Sequence, residues 1–102
     1  MQYPKYKLNL FHIANERKQS PIAGARLKAI GQRAGVADLS LAVSSNYFGV
    51  LHGAFFEIKS LKGRLTDTQL EFMDAVLKQG YAYFVIKSFD EFKTIIERYL
   101  PE

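Results

Sequence analysis

Residues 66–101 constrain the fold more than any other stretch, because two helix-start signals there enclose a single short β-rich run. The signals are Thr66-x-x-Gln69 and Ser88-x-x-Glu91, and the run is Tyr81–Ile86. In such a capping box the hydroxyl accepts an N–H three residues on, and the side chain there returns a bond to the cap. Behind the first signal, Phe72, Met73, Val76 and Leu77 recur at helical spacing and Gly80 sits at C′, which predicts a helix over 66–78. Behind the second, Phe89, Phe92, Ile95, Ile96 and Tyr99 repeat the pattern until Pro101 stops it. The run between them is too short for a helix and rich in β-formers, so it reads as a buried strand.

That strand needs partners, and the segments upstream supply them. Lys7 to Ile13 alternates loosely and is expected as a strand, followed by a polar loop over Ala14–Gln19. Ser20-Pro21 offers an N-cap and a first-turn proline, opening a helix to about Arg33 with Ile22, Leu27, Ile30 and Ala34 inside and Gly35 at its end. Ala37 to Val43 alternates cleanly, with Ala37, Leu39, Leu41 and Val43 on one face. After a loop from Ser44-Ser45-Asn46, a further strand spans about Gly53 to Ser60, antiparallel to its predecessor, and Lys62-Gly63-Arg64 forms a basic turn. The order β-α-β-β-α-β-α implies an α/β (α+β) domain, a mixed sheet with helices packed on it.

Composition narrows the chemistry. A chain of 102 residues is one domain with a modest core. With no cysteine, a disulfide scaffold, a thiolate zinc site and a cysteine nucleophile are all excluded. The longest apolar run is far shorter than a membrane span and the first residues lack a signal-peptide core, so the expectation is a soluble intracellular domain with no membrane partner. The net charge of +4 is uneven: residues 1–64 hold ten Lys/Arg against three acids, and residues 65–102 hold four against seven. A basic half can meet a polyanion, although a solubility role gives the same arithmetic.

Two of the three acids in the basic half form a pattern with chemical meaning. Residues two apart on a strand share a face, so Glu57 and Lys59 point together while Phe56 and Ile58 enter the opposite layer. Asp38 opens the neighbouring strand, so pairing would bring two carboxylates and an ammonium to one sheet edge. Carboxylates hold a hard divalent cation, which polarises a phosphoryl group and activates water, and a lysine stabilises the developing charge. The Ile58 carbonyl is a further oxygen donor for such an ion. The same residues also suit ordinary roles: a solvated ion pair for Glu57 and Lys59, turn chemistry for Asp38, and helix capping for Gln69.

Taken together, the motifs resemble those of VRR-NUC domains, a branch of the PD-(D/E)xK nucleases. Gly35-Val36-Ala37-Asp38-Leu39 is similar to the family's G-V-x-D-L, and Phe55-Phe56-Glu57-Ile58-Lys59 to its E-x-K strand. Gly63-Arg64-Leu65-Thr66-Asp67-Thr68-Gln69 is similar to its G-R-L-[ST]-x-x-Q, followed by Gly80-Tyr81, and His12-Ile13-Ala14-Asn15 resembles a segment before the first helix of phage-type members. The match spans about residues 10–100.

The resemblance implies a restriction-endonuclease-like core and a Mg²⁺- or Mn²⁺-dependent endonuclease acting on DNA phosphodiesters, with Asp38 and Glu57 as ligands, Lys59 as catalytic lysine and Gln69 beside them. It further implies a homodimer acting on branched DNA such as four-way junctions, in the cytoplasm of a bacterial or phage-infected cell. Ala37 and Ala14 stand where proline is common in the family, and the family's N-terminal helix with its metal-completing glutamate is not expected within a chain starting at Met1. Glu16 is the candidate to replace that glutamate. Without the helix, the alternative is a non-catalytic DNA-binding module with an incomplete active site. Lys62 and Arg64 are candidates for phosphate contacts, with Arg17, Lys18, Arg26, Lys28 and Arg33 extending that surface. His12 and His52 suit structural or surface roles, and Tyr3, Tyr6, Tyr47 and Phe48 an interface or the edge of the core.

Overall fold

A computed structural model describes residues 4–13, 35–47 and 49–101. The expected helix from Pro21 to about Arg33 lies outside them, as do Tyr3 and Phe48. A 3₁₀ turn, Pro4–Tyr6, leads into β1 (Leu10–His12); β2 (Leu39–Leu41), β3 (Ala54–Ile58), α1 (Asp67–Lys78), β4 (Ala82–Ile86) and α2 (Phe89–Tyr99) follow. The four strands form one mixed sheet in the order β1-β2-β3-β4. β1 pairs with β2 and β2 with β3 antiparallel, while β4 joins β3 in parallel after the α1 crossover.

The strands are shorter than the alternating patterns suggested, and a local hydrogen bond explains one of the limits. The Asn9 N–H donates to the Tyr6 carbonyl at 2.9 Å, closing a turn, so β1 begins at Leu10 rather than Lys7. Past the end of β2, Asn9 continues the pairing: its carbonyl accepts from the Ala42 N–H at 2.8 Å and its side-chain amide donates to the Ala42 carbonyl at 3.0 Å. Ser45 and Leu51 exchange both backbone bonds, at 3.0 and 2.7 Å, and so close the connection from β2 to β3.

The core lies between the sheet and α2. Leu41, Ala54, Phe56, Ala82 and Ile86 from the strands meet Ile96, Tyr99 and Leu100, all buried. The Phe56 ring stacks on Phe84 at 5.4 Å and meets Phe92 edge-on at 5.1 Å. The C-terminus of α2 is clasped to the rest of the chain: the Tyr99 hydroxyl donates to the Val43 carbonyl at 2.7 Å, the Ser45 hydroxyl to the Tyr99 carbonyl, and Tyr6 to the Pro101 carbonyl at 3.0 Å. At its other end the Ser88 hydroxyl caps the Glu91 N–H at 3.1 Å. Glu91 does not complete the box; its carboxylate takes the Lys87 N–H at 2.6 Å, one residue earlier than the capping pattern implies.

α1 covers the opposite face. Its box is complete, with the Thr66 hydroxyl accepting from the Gln69 N–H and the Gln69 carbonyl accepting from the Thr66 N–H. Its end is a Schellman turn: Gly80 N–H bonds the Leu77 carbonyl and Tyr81 N–H the Val76 carbonyl, both at 3.1 Å, with Gly80 at φ +85°. Phe72 packs edge-on against Phe55 at 5.1 Å. No residue of α1 is buried, so its apolar stripe covers the sheet without forming the centre of the core.

Candidate active site

Strand parity decides what faces α1. Phe56 enters the core, so Phe55 and Glu57 leave β3 on the α1 side. Glu57 is 4% exposed, which excludes the solvated surface pair that its spacing also allowed. Asp38, the residue before β2, brackets it: the Asp38 N–H donates to the Phe56 carbonyl at 3.0 Å, and its Oδ2 accepts from the Ile58 N–H at 2.8 Å. The Asp38 carboxylate is thereby fixed across the strands rather than spent on a local turn. Its own carbonyl takes the Ile13 N–H at 2.8 Å, anchoring the position to the β1 side as well.

Gln69 serves two roles at once. Its amide oxygen caps α1 at Thr66 N–H, 2.9 Å away, while its amide nitrogen donates to Glu57 Oε2 at 3.0 Å. The two ends of the amide thus divide capping and site-building between them. The partners also fix the amide's orientation, since only the nitrogen can donate to a carboxylate. Lys59 Nζ stands 3.9 Å from the same Oε2, with the lysine side chain 17% exposed. Gly35 sets the approach of this motif to α1: its φ is +87°, and a Cβ there would lie 2.5 Å from the Thr68 carbonyl oxygen in the helix's first turn.

The electrostatics are those of two carboxylates forced together. Burial first, then the Asp38 charge, pushes Glu57 up to about 7, with Lys59 pulling the other way. Glu57 Oε1 is buried and has no hydrogen-bond partner. A buried acceptor left open beside a second carboxylate fits a hard divalent cation, which neutralises the repulsion and takes the free oxygen. Asp38 and Glu57 are the carboxylates at this place, and Ile58, whose N–H donates to Asp38, ends β3 beside them. Among the described residues no group of three or more acidic, histidine or cysteine side chains gathers, so the acidic set here is a pair. Such a pair suits Mg²⁺, which keeps several waters and shares its shell with substrate phosphate.

The other expected site residues separate into two groups. Lys62 and Arg64 are exposed on the turn that follows β3, where the Gly63 N–H bonds the Ser60 carbonyl at 3.0 Å. Lys87 Nζ ties this turn to the end of β4 by donating to the Leu61 carbonyl at 2.9 Å. Glu16, Arg17, Lys18, Arg26, Lys28 and Arg33 lie outside the described residues. His12 is exposed on β1, and His52 packs against Tyr81, their ring centres 5.9 Å apart, away from the carboxylates. Tyr6 and Tyr47 pack against the core's edge. Tyr83, which composition and motif did not single out, reaches the α1 side of the sheet near the carboxylates. Only the register of β4 against β3, pairing it with Phe55, reveals this.

Comparison with known proteins bears on the fold. No family model matches the chain, and no curated protein matches it. A solved structure described as a VRR_NUC domain protein superposes with a TM-score of 0.74 at 26% identity, covering 92% of this chain and 69% of that one. No helix among the described residues is long and apolar enough to cross a membrane. The mixed sheet and its two flanking helices thus give this chain the α+β fold of a VRR-NUC domain, the family that its motifs at residues 35–39, 55–59 and 63–69 resemble.

Proposed function

We propose that this chain is a Mg²⁺- or Mn²⁺-dependent endonuclease that hydrolyses DNA phosphodiesters, selects branched DNA such as four-way junctions, and acts as a homodimer. One observation carries the catalytic part: the buried Glu57, oriented by Gln69 at 3.0 Å and flanked by Lys59, sits beside an Asp38 carboxylate pinned to β3. Asp38, Glu57 and the Ile58 carbonyl would hold the cation. When bound, the cation supplies Lewis-acid polarisation of the phosphate and a more acidic water. Lys59 then stabilises charge on the phosphate, Gln69 keeps Glu57 in plane, and Lys62 and Arg64 hold the duplex backbone. The preference for branched DNA and the dimer rest on the family resemblance alone. Cytoplasmic action in a bacterial or phage-infected cell belongs to the same reading.

Labelled four-way junction and plain duplex, incubated with the purified protein and Mg²⁺ or Mn²⁺, test it. Expected are cation-dependent cuts on the junction and a loss of roughly 100-fold or more with Glu57→Ala. Equal cleavage by the two proteins overturns the assignment. The described residues hold only two acids at this place, which favours a second reading, a DNA-binding module without cleavage. Salt-sensitive junction binding with no cation-dependent cutting is its signature.

A further inference from the structure

Among the described residues, two buried side-chain polar atoms remain without hydrogen-bond partners, Glu57 Oε1 and the Tyr83 hydroxyl. Unpaired buried polar groups are rare because each forfeits its bonds to water, at about 1–3 kcal/mol. Two in one small domain call for an explanation, and their chemistry is complementary, since one is an acceptor and the other carries a donor hydrogen.

Register places them together. Tyr83 pairs with Phe55 in the parallel β3–β4 ladder, so its side chain leaves the sheet on the face of Phe55 and Glu57. The Phe72 ring of α1, 6.3 Å from the Tyr83 ring and 5.1 Å from Phe55, confirms that face. Glu57 lies two residues further along the adjacent strand. With strands about 4.8 Å apart and a rise of about 3.3 Å per residue, the two Cα atoms are about 8 Å apart. The two atoms make no direct hydrogen bond, and one water between a tyrosine hydroxyl and a glutamate carboxylate spans such a diagonal. Two neighbouring oxygens are already engaged: the Gln69 amide nitrogen donates to Glu57 Oε2 and the Ile58 N–H donates to Asp38 Oδ2. Burial and the adjacent Glu57 and Asp38 charges also hold the phenol up at about 12, so it remains a donor.

We propose that Tyr83 is a positioning residue of this site, its hydroxyl donating to a water that in turn donates to Glu57 Oε1 and leaves that oxygen's second lone pair for a cation, so that Gln69 and Tyr83 steady the two oxygens of one carboxylate from two elements. Gln69 acts from α1 and Tyr83 from β4, which couples the helix and the last strand through Glu57. The inference deepens the nuclease reading and rests on it for the role of Glu57, but the hydrogen bond can be tested without any cleavage. Outer partners that orient a metal ligand are typically worth 10–100-fold in affinity or activity.

The experiment has two arms. In the first, tyrosine-labelled protein without cation is observed by NMR: a slowly exchanging Tyr83 hydroxyl proton is expected, and it should shift or vanish in Glu57→Ala. In the second, Tyr83→Phe, which removes one oxygen, is compared with wild type. Expected are an unchanged or raised melting temperature, roughly 10-fold weaker Mn²⁺ binding by calorimetry without DNA, and a lowered kcat at constant KM. A Tyr83 hydroxyl indifferent to Glu57→Ala, or a Tyr83→Phe protein that binds Mn²⁺ as wild type does, overturns the proposal. Wild type that binds Mn²⁺ yet cuts no DNA defeats the nuclease reading instead, and weaker Mn²⁺ binding by Tyr83→Phe then still upholds the role of Tyr83.

Discussion

Glu57 carries the largest perturbation among the site's residues, and its consequence for stability has a definite sign. Its pKa is raised from 4.5 to about 7, chiefly by burial and then by Asp38. Below pH 4.5 the carboxyl is protonated whether the chain is folded or not. Between 4.5 and about 7 the folded chain keeps a proton that the unfolded chain has released, so stability falls as pH rises through that window. The expected loss is on the order of 2 kcal/mol, read by urea denaturation at pH 4.5 and pH 8. Glu57→Gln should flatten the difference, and added Mn²⁺ should restore stability at the higher pH because it binds the ionised form. A wild-type profile no steeper than that of Glu57→Gln would show that the pH dependence arises at another residue.

At the scale of elements, the join between the Asp38 motif and α1 depends on a residue without a side chain. Gly35 combines φ +87° with a Cβ position 2.5 Å from the Thr68 carbonyl oxygen, so Gly35→Ala meets both backbone strain and a clash with backbone. The chain must shift there, separating Asp38 from the first turn of α1 that carries Gln69. A loss of about 2 kcal/mol or more is expected, checked by thermal melting, with a larger fall in cleavage than in junction binding. Gly49→Ala is the control. Its φ is also positive, +98°, but nothing lies within 4 Å of the added carbon, so only the strain remains.

At the scale of the whole molecule, the +7 of residues 1–64 against the −3 of residues 65–102 becomes partly spatial. Lys59, Lys62 and Arg64 follow directly from the strand that bears Glu57, and Lys87 anchors their turn. Positive charge beside a carboxylate pair gives a polyanion a reason to approach acids it would otherwise avoid. Each of Lys62→Ala and Arg64→Ala should weaken junction binding and lower the slope of log K against log salt by about 1, measured by titration at several salt concentrations. An unchanged slope would place the phosphate track elsewhere on the molecule.

How much of this was legible in the sequence depends on the range of the interaction concerned. The helix starts at Thr66 and Ser88, the stop at Gly80, and the alternation of β2 and β3 follow from neighbours a few residues apart, and periodicity reports them faithfully. The motif residues Asp38, Glu57, Lys59 and Gln69 could be named for the same reason, each being a local pattern in a fixed order. What neither composition nor spacing could decide was burial and partnership. Glu57 next to Lys59 has the same sequence whether it is a solvated pair or a buried carboxylate 3.0 Å from an amide on another element. Glu91 could be expected to complete a box that it leaves open, because Lys87 N–H offered a better partner. Tyr83 reaches the carboxylates only through the β3–β4 register, and register is fixed by the packing of one whole face against another, not by the strand's own residues. The sequence by itself thus determined the strands and helices of the described residues, their order and the chemical inventory. The tertiary structure alone decided which oxygens face one another, because the free energy of a buried charge depends on what surrounds it.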